Sequence, residues 1–183
     1  EMGLAADETL IQMRMLNTGK GPAVHSLRAQ MDKRRYHERV KRALEAQEKL
    51  TLRQGEVTEI LTQGGRVTGV RTGEGFTIGC RALALCTGVY LKSRILIGDY
   101  VKESGPAGLM RAEKLSEALG GLGLPLRRFK AGTPARVNAH SLDYNEMERQ
   151  DGDVPTPAFS FLNGRLELEQ QPCYLTYTNA ETH

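Results

Sequence analysis

Residues 50–90 read LTLRQGEVTEILTQGGRVTGVRTGEGFTIGCRALALCTGVY, and this stretch decides the fold class. Short extended runs alternate with turn signals. Residues 51–53 form the first run. Residues 57–61 and 67–71 flank Gln63-Gly64-Gly65, a glycine pair suited to the positive φ angles of a tight hairpin. Thr72-Gly73-Glu74-Gly75 turns the chain again into residues 76–79, which predicts a meander. The final run, Ala82-Leu83-Ala84-Leu85-Cys86, does not alternate; it is apolar throughout and ends in Thr87-Gly88. Continuous apolarity predicts a strand buried on both faces, as in a parallel sheet covered by helices. A glycine after such a strand lets a ligand approach the backbone at its carboxyl end, where open α/β sheets bind.

Composition narrows the class. The 183 residues suffice for one domain with a core, and aromatic residues are few. No apolar run approaches the roughly 18–20 residues that span a bilayer. The opening Glu1-Met2-Gly3-Leu4-Ala5-Ala6-Asp7 lacks the basic and apolar regions of a signal peptide. Because the chain does not start with Met, it reads as a piece of a longer protein. Cys80, Cys86 and Cys173 show no metal spacing and are odd in number, so a disulfide framework is not expected and a reducing, cytoplasmic setting is. His25, His37, His140 and His183 lie far apart, and no metal site is expected. No catalytic set emerges from spacing. The net charge of +3 permits nucleic-acid contact without arguing for it.

Along the chain, residues 11–15 alternate as a half-buried strand does. Asn17-Thr18-Gly19-Lys20-Gly21-Pro22 is a loop without P-loop spacing, either a plain turn or a place where backbone N–H groups and Lys20 meet a phosphate. Residues 27–50 are predicted as the longest helix, with Leu27, Met31, Val40 and Leu44 on one face and Tyr36 beside them. Its basic residues, Arg28 and Arg34 among them, are either a solvated face with Glu38–Arg42 and Lys41–Glu45 pairs or a phosphate-contacting one. Residues 91–98 suggest a short strand, 101–108 a loop and 111–119 a second helix stopped by Gly120, Gly121 and Gly123. Residues 124–130 are extended and 131–136 turn the chain. Residues 138–164 read as loop, and 166–168 and 173–178 as strands.

The strand, meander and apolar strand of residues 50–90 resemble the FAD-binding domain of the glutathione-reductase-like fold. The predicted class is α/β, a partial Rossmann-type domain with a β-meander crossover and an α+β insertion. The expected boundaries are 1–136 for the FAD-binding part with inserted segments and 137–183 for a loop-rich β segment of a second subdomain. Further blocks follow in order: Met15-Leu16-Asn17-Thr18-Gly19-Lys20-Gly21-Pro22-Ala23-Val24, Arg28-Ala29-Gln30, Phe129-Lys130-Ala131-Gly132-Thr133-Pro134-Ala135-Arg136, Ala158-Phe159-Ser160-Phe161, and Pro172-Cys173-Tyr174-Leu175-Thr176-Tyr177-Thr178-Asn179 with Thr182-His183. With these, the whole chain resembles the glucose-inhibited division protein A family of tRNA uridine 5-carboxymethylaminomethyl modification enzymes. His25 stands where that family usually has Arg, and Ala135 where it usually has Pro.

The resemblance implies an FAD-dependent enzyme that, with a GTPase partner, adds an aminomethyl-type group to carbon 5 of the tRNA wobble uridine. NADH and a folate one-carbon donor are implied as co-reactants, a homodimer as the assembly, and no membrane. Residue by residue, Val57 matches the position whose backbone meets the adenine side of FAD. Thr87 and Gly88 match the strand-end turn along the cofactor, and Gly132, Thr133 and Pro134 a loop near the flavin. Lys20, Arg28 and Arg34 are candidates for tRNA phosphates. The family's glycine-rich FAD motif and its two functional cysteines match nothing in this chain. Cys86 is therefore expected to be a small core residue. The sister folate-dependent tRNA uridine methyltransferases share the fold, but the lysine-glycine-proline and Pro-Cys-Tyr blocks argue against them. A non-catalytic RNA- or partner-binding module is the other alternative.

Overall fold

The structure is a computed structural model that describes residues 1–132 and 137–182. In chain order its helices and strands are α1 (Met2–Glu8), β1 (Leu10–Leu16), β2 (Ser26–Met31), α2 (Lys33–Ala46), β3 (Val57–Gln63), β4 (Arg66–Thr72) and β5 (Thr77–Gly79). There follow β6 (Ile95–Ile97), β7 (Tyr100–Lys102), α3 (Leu115–Gly121), β8 (Glu148–Gln150) and β9 (Cys173–Leu175). Contacts divide the chain into two units, Glu1–Leu52 with Pro134–His183, and Arg53–Thr133.

In the first unit the alternation of residues 11–15 does form a strand. β1 pairs antiparallel with β2, from Leu10 opposite Met31 to Leu16 opposite Ser26, with an irregularity between Leu10 and Gln12. Residues 27–31 therefore belong to a strand, and the helix predicted over 27–50 is shortened to α2. Asp32 makes the break: its carboxylate accepts from the backbone N–H groups of Arg34 and Arg35, capping the helix where the strand ends. The helical spacing of Leu27 and Met31 misled because i and i+4 also share one face of a strand. Tyr36, Val40 and Ala43 form the half-buried face of α2, which packs against α1. Arg39 reaches across to Glu8 at 2.6 Å and to Glu1 at 3.3 Å. On the outer face Lys41 pairs with Glu45, and Glu38 takes Arg34 rather than Arg42.

The second edge of β1 is filled without a strand. Asp153 N–H donates to Met13 O and Gln171 N–H to Ile11 O. The Gln170 amide oxygen accepts from Met13 N–H at 2.7 Å, and the Asp153 carboxylate accepts from Met15 N–H at 2.6 Å. Gln12, only 1% exposed, donates to Gln150 O and Gln171 O. Asp7 is also buried and accepts from Phe159 N–H, Ser160 N–H and the Asn163 amide. The predicted strand at 166–168 is reduced to one bridge, Leu166 with Thr156, and the residues that follow, Gln170 and Gln171, bond to Asp153 and to β1. β9 does form, but stops at Leu175. Its partner is β8, within the span expected to be loop.

The second unit contains the expected meander, β3–β4–β5, antiparallel throughout. Gly64 and Gly65 both have positive φ, 56° and 74°, as a two-residue hairpin turn demands. At Gly69 the neighbouring strand comes so close that an added Cβ would lie 2.6 Å from Ile78 O. α3 packs against β3, burying Leu115 and Leu119. The helix starts at Leu115 rather than 111, and it runs through Gly120 and Gly121 before Gly123, with φ 80°, ends it. Residues 95–97 and 100–102 form a small hairpin, so the predicted loop begins after Lys102.

Two predicted strands are absent. Residues 51–53 and 82–86 are not strands, and Leu52 and Leu85 are exposed. A parallel strand draws its ladder from a neighbour reached by a crossover. Among the described residues no strand takes that place, so the apolar run has no partner on either edge. Cys86 is accordingly exposed rather than a core residue.

The pins on β1 are testable. Gln170→Ala leaves the Met13 N–H and two further partners without their bonds, at about 1–3 kcal/mol for each buried group stranded. Urea unfolding should show a loss of that order, whereas exposed Gln47→Ala should stay within about 0.5 kcal/mol.

Candidate functional site

Lys20, Arg28 and Arg34 lie in the first unit, on successive elements. Lys20 ends a short 3-10 turn, Thr18–Lys20, in the connection between β1 and β2. Asn17 opens that turn in the left-handed conformation, φ 61°, and its side-chain amide donates to Val24 O, closing the loop. Arg28 is in the middle of β2, and Arg34 in the first turn of α2. All three are exposed. Arg34 already has a carboxylate partner, Glu38, at 3.2 Å. Lys20 and Arg28 have none among the described residues.

The positions expected along a flavin cofactor lie in the second unit. Val57 begins β3, opposite Thr72. β3 is an edge of the meander, so half of its backbone polar groups are left unused by the ladder. Such an edge suits recognition through the backbone, which is the role the resemblance implies for Val57. Thr87 accepts from Tyr90 N–H and Gly88 adopts φ 54°, a left-handed turn that glycine enters without strain. Only the Tyr90 ring, at 3.7 Å, would touch a Cβ placed there. Gly132 is exposed with open space around it. Thr133 and Pro134 lie outside the described residues. Among the described residues no hydrogen bond joins Val57, the Thr87–Gly88 turn and Gly132.

The turn at Gly88 is held from its downstream side. Leu91 bridges Ala112, Lys92 N–H donates to Ala112 O, and Ala112 N–H donates to Tyr90 O. Arg111 donates to Ser93 O and to the carboxylates of Glu103 and Glu113. Hydrogen bonding to Arg111 holds the Glu113 carboxyl below its ordinary value, and Glu113 in turn raises Arg111. Sequence reasoning missed this clasp, because its residues are scattered over a span expected to be a short strand, a loop and a helix.

Open clefts lie elsewhere among the described residues. One of about 370 Å³ is lined by Asp151, Thr156, Glu167 and Gln170 among others; one of about 710 Å³ has Arg66, Cys80 and Arg81 on its wall. None of the predicted site residues lines either. The three cysteines are free. Among the described residues no group of His, Cys, Asp or Glu has metal-binding geometry, and no helix is long and apolar enough to cross a membrane.

The family model for glucose inhibited division protein A matches residues 1–183. The tRNA uridine 5-carboxymethylaminomethyl modification enzyme MnmG of Clostridium botulinum (strain Okra) is 54% identical over all of this chain, which covers 29% of that relative. The enzyme of the same name from Caldicellulosiruptor saccharolyticus is 52% identical, again over 29% of its length. Among solved structures, GidA of Aquifex aeolicus in its form I crystal superposes with a TM-score of 0.87 at 42% identity, over 95% of this chain and 30% of that one. The chain thus spans about three tenths of the relatives it matches, with the mixed α/β fold of the corresponding part, and it belongs to the glucose-inhibited division protein A family.

Proposed function

We propose that the chain is part of an FAD-dependent enzyme that adds a (carboxymethyl)aminomethyl group to carbon 5 of the tRNA wobble uridine. The observation that carries this reading is the 54% identity, sustained over all 183 residues, to a relative whose name states that modification. On this reading residues 1–136 include part of the FAD-binding domain, and residues 137–183 belong to a second subdomain. The open edge at Val57, the left-handed turn at Thr87-Gly88 and the loop of Gly132, Thr133 and Pro134 lie along FAD. Lys20, Arg28 and Arg34 contact tRNA phosphates, Arg34 least because Glu38 already holds it. NADH and a folate one-carbon donor serve as co-reactants in the cytoplasm. The working assembly is a homodimer with a GTPase partner. Bound FAD would supply redox chemistry; this chain's share is to orient it.

The direct test is to assay the full-length protein with its GTPase partner on unmodified tRNA and analyse the wobble nucleoside by mass spectrometry. An unmodified uridine at complete cofactor supply would overturn the proposal.

The isolated 183-residue chain should bind FAD weakly and modify no tRNA. No G-x-G-x-x-G occurs in it, so no glycine-rich turn is available to cradle a pyrophosphate at a helix N-terminus. Titration followed by flavin fluorescence quenching checks this; tight stoichiometric binding contradicts it. In the full-length protein Gly88→Val should lower flavin content. A β-branched residue at φ 54° carries about 1–3 kcal/mol of backbone strain in the turn that meets the cofactor. Cys86→Ala should leave turnover within about two-fold, since among the described residues the Cys86 thiol takes part in no hydrogen bond. Loss of turnover by folded, flavin-loaded Cys86→Ala would make that thiol catalytic after all.

A further inference from the structure

The ladder between β1 and β2 sets Arg14 directly opposite Arg28. Directly opposed residues of antiparallel strands share one face of the sheet, and like charges in that relation destabilise it. Some other arginines are, among the described residues, matched with carboxylates, Arg39 with Glu1 and Glu8 and Arg111 with Glu103 and Glu113 among them, and others such as Arg42 and Arg66 are not; what sets Arg14 and Arg28 apart is that they face each other in register. Among the described residues neither the Arg14 nor the Arg28 guanidinium has a hydrogen bond or an ion pair. The adjacent carboxylate, Asp153, accepts from Met15 N–H instead. Arg14 is half-buried, so less water is available to screen the repulsion. Lys20, in the connection of the same hairpin, is a third cation without a carboxylate.

A pair of cations placed in register at a cost to the sheet calls for an anion. We propose that Arg14 and Arg28 together form a phosphate clamp for the RNA backbone, with Lys20 extending the track along the hairpin. The proposal rests on the tRNA reading above and adds Arg14, on a strand, to it. An extended polyanion suits the place better than a small nucleotide. Small-molecule sites are concave and bury most of their ligand, whereas neither cleft includes these residues. Guanidinium forks on adjacent strands match phosphate oxygens in a way that ammonium groups do not. Contacts of this kind set register and orientation on the RNA rather than reading sequence.

The test uses the full-length enzyme with bound flavin and compares it with Arg14→Gln/Arg28→Gln and Arg14→Lys/Arg28→Lys. Binding of unmodified tRNA is measured by fluorescence anisotropy across a salt series, together with Tm without RNA and flavin content. The Gln pair should lose about ten-fold in affinity or more. Its plot of log affinity against log salt should flatten by about 1.5, the counterion release of two phosphate contacts. Its Tm without RNA should be equal or higher, since a repulsion has been removed, and its flavin content unchanged. The Lys pair should keep the salt slope and lose part of the affinity. Normal tRNA binding by the unsubstituted enzyme with an unchanged Gln pair overturns the clamp and leaves the tRNA reading standing. Absence of tRNA binding by the unsubstituted enzyme overturns both. Loss of flavin with tRNA would assign the pair to the cofactor, and a lowered Tm would make it structural; either result overturns the clamp.

Discussion

Everything in the first unit depends on what satisfies the second edge of β1. A two-stranded ribbon is marginal in water, and among the described residues β1–β2 has no third strand. Gln170, Asp153 and Gln171 take its place, meeting the N–H and C=O groups of Ile11, Met13 and Met15 one by one. Gln12 returns the favour from inside, holding Gln150 O and Gln171 O while its own oxygen accepts from the Cys173 thiol. A buried amide left without such partners would destabilise the unit; fully satisfied, it selects one arrangement of chain segments distant in sequence. The hairpin is thereby fixed along its second edge, with Arg28 on a regular strand and Lys20 in the connection that Asn17 closes.

The second unit solves a different problem. Its described apolar core is small: Val70 in the meander with Leu115 and Leu119 from α3. Order around the Gly88 turn comes instead from polar and steric constraints downstream. Ser104 is buried with its hydroxyl on Leu109 O, and Arg111 fans out to Ser93 O and two carboxylates. Gly105 sits where a Cβ would lie 2.8 Å from Met110 O and 2.9 Å from the Tyr90 ring. No other residue fits there without moving the loop that Tyr90 and Ala112 share. The turn is held on one side by this clasp, while residues 82–86 before it carry no ladder.

Local signals in the sequence were legible wherever the chain satisfies its own backbone nearby. The meander is marked by Gly64-Gly65 and Thr72-Gly73-Glu74-Gly75, and β1 by period-two alternation; both are short-range patterns. Legibility ended where a distant segment decides. Residues 82–86 read as a buried strand because apolarity reports what a segment would bury, not whether its neighbour is present. Residues 27–31 read as helix because a spacing of four suits either a helix or a strand, and only the Asp32 cap settles the matter. Of the candidate site, the left-handed turn at Gly88 follows from glycine itself. Arg14 was overlooked because its meaning lies in register: nothing near it in sequence says that Arg28 stands opposite.

Some of the blocks that carry the family resemblance also make long-range contacts, although the pins on β1, namely Gln12, Asp153, Gln170 and Gln171, lie outside them. Phe159 and Ser160 offer the N–H groups that the buried Asp7 carboxylate accepts. Cys173 donates to Gln12, and Tyr174 packs on Tyr144 with ring centroids 4.6 Å apart. Asn17 and Gly21 take positive φ in the loop before Pro22. Part of such a fingerprint is a statement about packing: loss of the Cys173 thiol removes a bond to the buried Gln12, and a β-branched residue at Gly21 strains a turn. Block residues that do no such work are Lys20 and Arg28, whose charges have no partner among the described residues, and Phe129 and Phe161, whose rings stand almost wholly in solvent. A large apolar ring left outside every described contact is costly to keep exposed and contributes nothing to these two units. Phe161 stands two residues from Phe159, whose backbone N–H the buried Asp7 carboxylate holds, so the position of that exposed ring is set by an anchor next to it.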